Sequence, residues 1–307
     1  MTMSEEPGAR TTARRERWIG AALATSFALN VAALFLPFLE TDAVLENPKL
    51  YSLPRSVALM WDAGLYALAG LVVAFSILFP FAKLYVLWNV WRGRYAPQRA
   101  HERLAFVERF GKWSLLDVFI VCLLLGLTGG QFFVDARALA GLPCFLAAVL
   151  LSMVCGEALA SRAGLHAPSL PARRRTFLLW LAAGVHLAAV TTPFLAIDSF
   201  WLSSNRVSVT SMAHSLFQLD WAAWAPAVSV AAFVVAAPLL ALLARGQGSA
   251  AWTARFSRWS MLDVFLLALI VYLIEGKSFV PTRIAEGAYW LAGAMALSLL
   301  ARRAARR

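Results

Sequence analysis

Charged residues are scarce in this chain. Only 15% of its 307 residues are Asp, Glu, Lys or Arg, against 61% hydrophobic ones. A water-soluble domain of that composition could not cover its surface with polar groups. Cysteine is scarcer still: Cys122, Cys144 and Cys155 are the only three, all in apolar stretches, and none forms a C-x-x-C pair. That excludes a disulfide framework and a zinc ribbon. No nucleophile motif, phosphate-binding loop or haem ligand pair occurs, and the four histidines are scattered. We expect no enzymatic activity, no cofactor and no metal site. No cleavable signal peptide is evident, because no small-residue cleavage site closes the first apolar run within a short stretch.

What the chain does have is long apolar runs. Eight are long enough to cross a hydrocarbon core of ~30 Å: Trp18–Phe38, Ala63–Trp91, Ser114–Gln131, Leu139–Ala160, Phe177–Ala196, Trp221–Leu243, Ser260–Glu275 and Ala288–Ala301. The cations are unevenly placed between them. Of the 28 lysines and arginines, 21 lie in the N-terminal tail, in the connections after the second, fourth and sixth runs, and in the C-terminal tail. Six lie in the other four connections, which read as short, and Lys83 is inside a run. This bias predicts that both termini and the basic loops are cytoplasmic. It accounts for the net charge of +11 as topology, so nucleic-acid binding is not expected. Tryptophans such as Trp61, Trp201 and Trp221 at one set of ends, and Trp18, Trp91 and Trp259 at the other, read as interfacial belts.

The chain also repeats itself. Arg109–Phe119 reads RFGKWSLLDVF and Arg255–Phe265 reads RFSRWSMLDVF, eight identities in eleven at an offset of 146. At that offset Phe133-Val134 matches Phe279-Val280, Gly141 matches Gly287 and Ser152 matches Ser298. Upstream, at slightly larger offsets, Pro37-Phe38-Leu39 matches Pro193-Phe194-Leu195, Asp62 matches Asp220 and Pro80 matches Pro238. The expected fold is an all-α integral membrane protein of eight transmembrane helices. Two tandem four-helix repeats would be related by a pseudo-two-fold along the membrane normal. The boundaries are a basic tail over 1–17, a first repeat over 18–160, a linker over 161–175 and a second repeat over 176–307.

A basic loop followed by W-S-[LM]-L-D-V-F opening a short span, occurring twice, resembles the paraquat-inducible protein A family. Phe79-Pro80-Phe81-Ala82-Lys83-Leu84 is similar to that family's P-x-x-K-L element. The resemblance spans nearly the whole chain. It implies a multi-pass protein of the bacterial inner membrane. Its function would be to pass phospholipid or a similar amphiphile between that membrane and a periplasmic MCE-domain partner. Long family members carry a four-cysteine zinc ribbon before each repeat, and this chain has none. The second repeat also has Ala241 where the first has Lys83. Two rival readings remain: a self-contained proton-coupled exporter of a small amphiphile, and a non-transporting scaffold or stress factor.

The polar residues inside the spans are the candidate transport or coupling groups: Lys83, Ser114, Asp117 and Ser152 in the first repeat, and Ser260, Asp263 and Ser298 in the second. Ser114-x-x-Asp117 and Ser260-x-x-Asp263 fit a capping box equally well. Lys83 can reach towards Asp117 as an ion pair or towards headgroup phosphates. Ser152 and Ser298 can bond back to their own helices. Asn30 and His186, near mid-span, are expected either to line a cleft or to make interhelical hydrogen bonds. Glu157, near a span end, is expected to reach water. Asp62 and Asp220, at the outer mouths, either guide a headgroup or cap helices. Pro80 and Pro238 are expected to kink their spans and to line a cleft.

Overall fold

The computed structural model describes residues 7–43, 46–128, 134–164, 176–199, 203–275 and 282–304. Phe133 and Phe279, the linker from residue 165 and Trp201 fall outside these.

Among the described residues, six helical stretches are long and apolar enough to cross a membrane: Arg17–Phe35, Leu68–Trp91, Pro97–Leu127, Gly141–Arg162, Trp221–Gly246 and Ala251–Ile274. With no water to bond backbone groups in hydrocarbon, the helix is the form such runs must take. The chain is therefore a multi-pass α-helical membrane protein.

In the first half the order runs α1 (Pro7–Phe35), β1 (Leu39–Ala43), β2 (Glu46–Tyr51), α2 (Leu53–Asp62), α3 (Tyr66–Val72), a π-helical turn Val73–Leu78, α4 (Phe79–Trp91), α5 (Pro97–Phe110), a 3-10 turn Gly111–Leu115, α6 (Leu116–Thr128), β3 (Val134–Ala138) and α7 (Gly141–Arg162). The second half runs α8 (Thr176–Thr191), β4 (Leu195–Ser199), β5 (Ser203–Val207), α9 (Val209–Gln218), α10 (Trp221–Ser229), a π-helical turn Val230–Ala236, α11 (Ala237–Gly246), α12 (Ala250–Trp259), α13 (Leu262–Glu275), β6 (Thr282–Ile284) and α14 (Glu286–Ala304).

The connections opposite the basic face, which read as short in the sequence, carry structure of their own. Each half carries a small antiparallel sheet there, in the order β2-β1-β3 and β5-β4-β6. The run Phe177–Ala196 stops short as a helix at Thr191, because Leu195 and Ala196 belong to β4. One junction pins each sheet to its helices. Gly141 N–H donates to Pro37 O at 3.0 Å and Gly287 N–H to Pro193 O at 2.8 Å. A Cβ at Gly141 would lie 2.6 Å from Pro37 O, and one at Gly287 would lie 2.4 Å from Thr192 O. The repeated glycine thus has a packing cause: the chain's own backbone occupies the side-chain space.

Both prolines follow a π-helical turn. Pro80 and Pro238 stand at the start of α4 and α11. Proline has no N–H to close the preceding α-turn, and the wider turn absorbs the mismatch. The carbonyls in the second turn are claimed from outside their helix. Met261 N–H donates to Phe233 O at 2.9 Å, and His186 Nε2 lies 3.1 Å from Val235 O.

The halves meet along α6 and α13, which pack against each other. Phe119 and Phe265, equivalent at the offset of 146, meet edge to face with ring centres 5.8 Å apart. Leu115, Leu116, Cys122, Leu123, Val264 and Ala268 are buried in the same core.

Candidate functional site

The polar groups of the candidate site gather where the two halves meet at the basic end of α6 and α13. Three arrangements form there, and none is the one expected.

The first arrangement joins the halves. Lys112, in the 3-10 turn before α6, is ion-paired with Asp263 at the start of α13. Arg258, the residue equivalent to Lys112, does not pair with Asp117. Its Nη2 donates to Glu157 Oε1 at 2.9 Å, and its Nε lies 3.6 Å from Glu108 Oε1. Trp259 Nε1 donates to Glu157 Oε2 at 3.0 Å, and Arg255 Nε lies 3.9 Å from Glu157 Oε1. Glu157 on α7 is thus held by three residues of the other half, where the sequence reading had it reaching water. An acidic residue satisfied on both oxygens holds the packing of α7 against α12 more firmly than a single exposed pair.

The second arrangement surrounds Lys83. This side chain is 2% exposed, and its Nζ has no hydrogen-bond partner. It does not pair with Asp117 and does not snorkel to the surface. Instead it faces a cavity whose walls include Gly111, Glu108, Glu157 and Arg258. A Cβ on Gly111 would sit 3.3 Å from Lys83 Nζ. In the second half the corresponding positions are Ser257 and Ala241, so a longer residue at one position accompanies a shorter one at the other.

The third arrangement is sealed. Asp117 is 6% exposed, with Ser76 of the π-helical turn set beside its carboxylate. Asp117 Oδ2, Ser76 Oγ and Ser114 Oγ are shut away from solvent without a hydrogen bond of good geometry. Ser114 belongs to the 3-10 turn and its hydroxyl has no partner, and Ser260 is the extended residue that ends α12. The capping-box reading therefore fails in both halves: a 3-10 turn in one half and an extended Ser260 in the other put neither serine at a helix N-cap.

Other candidates fall elsewhere. Ser152 Oγ donates to Val149 O at 2.7 Å and Ser298 Oγ to Met295 O at 2.8 Å, each within its own helix. Asn30 Nδ2 also bonds within its helix, to Ser26 O at 2.9 Å, so the expected interhelical bond is absent there. Ser26 makes that link instead, donating to Ala148 O at 2.7 Å. His186 lines a second, smaller cavity with Pro238, Ala241, Ser257, Ser260 and Ser298. Asp62 ends α2 and Asp220 stands before α10 without a capping bond; both are exposed. Among the described residues no cluster of side chains could hold a metal ion.

The residues missed from the sequence are Ser76, Glu108, Gly111 and Arg258, and Glu157 was named with a different role. The repeat offset held one signal, since it sets Arg258 opposite Lys112.

Comparison with known proteins agrees with this layout. The sequence matches the family described as Paraquat-inducible protein A twice, over residues 17–164 and 173–307. The chain belongs to that family. Both matched segments contain one WS-x-LDVF element, one π-helical turn and one three-stranded sheet. Curated relatives include the Intermembrane transport protein PqiA of Escherichia coli K12 and its counterpart in Shigella flexneri. Each is 32% identical over 116 residues. The match covers 36% of this chain and 28% of the relative, so the chain is aligned to under a third of those proteins. No solved structure matches the chain.

Proposed function

We propose that this chain is the inner-membrane component of a system that passes phospholipid, or a similar amphiphile, to or from a periplasmic partner of the MCE-domain type. The observation that carries the reading is the family match over both halves, taken with relatives named as intermembrane transport proteins. The architecture is compatible with it. If α8, which is apolar but short, and the 19-residue α14 cross as the six long stretches do, the crossings number eight. The clustering of cations favours cytoplasmic termini and a cytoplasmic basic face. A pseudo-two-fold along the membrane normal would pass near the Phe119–Phe265 contact and relate the two sheets, which would then stand on the periplasmic side. Asp117, Lys83 and Asp263 are the groups proposed to couple movement of the halves to transport. We expect neither enzymatic chemistry nor a cofactor in that role.

The test is a photoactivatable phospholipid incorporated into membranes that contain the chain. Crosslinks mapped by mass spectrometry to residues facing the boundary between the halves support the reading. Crosslinks spread evenly over the outer surface, as for any membrane protein, count against it.

A further inference from the structure

Lys83 combines three properties that are costly together. Its side chain is buried, its Nζ has no hydrogen-bond partner, and it lies in a segment that spans the membrane. An ammonium without water or an acceptor is strongly disfavoured in such surroundings. The cavity it faces offers room for that solvent. About 40 Å³ of that cavity is open to the centres of water-sized molecules, room for about three waters. Its walls carry the acceptors that ordered water needs, the carboxylates of Glu108 and Glu157. These and Arg258 are the partly exposed charged residues of the wall, with side-chain exposures of 31%, 23% and 23%; Met153, Gly156 and Trp259 are partly exposed too, whereas Leu104, Val107 and Gly111 are buried. Its charged wall stands at the basic face, where α5 and α12 carry Glu108 and Arg258, and Lys83 is its most deeply buried charged group. Neither Asp117 nor Ser76 nor Ser114 lines it.

We propose that this cavity is a hydrated inlet that brings water, and with it protons, from the basic face to Lys83, and that Arg258 narrows its mouth by bridging Glu108 and Glu157. Gly111 keeps the inner end open, because a side chain there would fill the space at Nζ. The inlet stands apart from the lipid-transport reading and holds whatever the chain carries. It also divides the site. Water entering from the basic face reaches Lys83 and stops before the layer of Asp117, Ser76 and Ser114.

The test measures water access with a thiol reagent. In a background with Cys122, Cys144 and Cys155 replaced by alanine, single cysteines are introduced as Gly156→Cys in the cavity wall, Ser114→Cys in the sealed layer and Ser161→Cys at the exposed end of α7. A Cβ at Gly156 meets only Leu87, at 3.7 Å, so the substitution fits. Modification by iodoacetamide is followed by mass spectrometry of the purified protein. The inlet requires Gly156→Cys to react at a rate near that of Ser161→Cys, and Ser114→Cys to react far more slowly. Adding Arg258→Gln should accelerate modification of Gly156→Cys severalfold. Equal slowness of Gly156→Cys and Ser114→Cys overturns the inlet, and an unchanged rate with Arg258→Gln overturns the gating role. Should the cysteine-free background fail to fold, hydroxyl-radical footprinting of the unaltered chain decides. Met153, in the cavity wall, must then oxidise well before Met212, which is buried against Gly126 away from the cavity. The reverse order refutes the proposal.

Discussion

Lys112 of the first half is ion-paired with Asp263 of the second, and the equivalent pair, Arg258 with Asp117, is not made. A nearly exact sequence repeat therefore carries an asymmetric charge arrangement. The cause lies outside the repeated element. Glu157 and Glu108 offer Arg258 carboxylates that the second half does not offer Lys112, since the positions equivalent to them are Arg303 and Ala254. Asp117 is left inside the protein with a serine beside it.

The two aspartates should consequently respond differently to neutralisation. Asp263→Asn removes a single, partly exposed ion pair, worth about 1 kcal/mol. Asp117→Asn removes a buried carboxylate that has no ion pair among the described residues, so thermal stability in detergent should hold or rise. A melting temperature that falls more for Asp117→Asn than for Asp263→Asn would contradict this assignment.

Arg258 is the stronger link between the halves. Arg258→Ala leaves Glu157 with its Trp259 bond and one distant guanidinium, and Glu108 without its Arg258 contact. Because the cluster is partly exposed, the expected loss is about 1–2 kcal/mol rather than that of a fully buried pair. A double-mutant cycle with Glu157→Gln measures the coupling, which should be clearly larger than that between Lys112 and Asp263.

Gly111 and Lys83 should behave as a matched pair. Gly111→Ser places a side chain against Lys83 Nζ and should lower stability. Adding Lys83→Ala should restore it, because the second half pairs Ser257 with Ala241. Monodispersity and melting temperature of the purified single and double variants check this; an additive loss would show that the positions do not share space.

Gly141→Ala and Gly287→Ala should each destabilise by about 1–3 kcal/mol or more, since the added carbon meets fixed backbone oxygen rather than a movable side chain. The yield of folded protein on size exclusion reads this out, with Gly70→Ala, whose Cβ meets nothing, as the tolerant control.

The helices were legible because a long apolar run in a chain with few charges has one structural solution. Gly141 and Gly287 were legible as a repeat but not as a clash, which needed Pro37 and Pro193 in place. The sheets were not legible. Strands such as Leu39–Ala43 and Val134–Ala138 are five residues long, without clear alternation, and they pair across most of a repeat. The amphipathic α5 and α12 were read as basic loops because their charges masked the helical spacing. The polar site was half legible. A lysine and an aspartate in adjacent spans suggested each other, yet Lys83 turns to a cavity and Asp117 to Ser76, a choice made by the π-helical turn and by Gly111. Pairing in such a site is decided by which neighbours already have partners, and that information is spread over α5, α7 and α12.

The most direct test of the transport reading is gentle purification of the tagged chain from its native membrane, with mass-spectrometric identification of proteins recovered at stoichiometric level. The account predicts a periplasmic protein with MCE-type domains, together with phospholipid. Repeated recovery of the chain alone, under conditions that keep other membrane complexes intact, would contradict it and leave the family match as a statement about the fold.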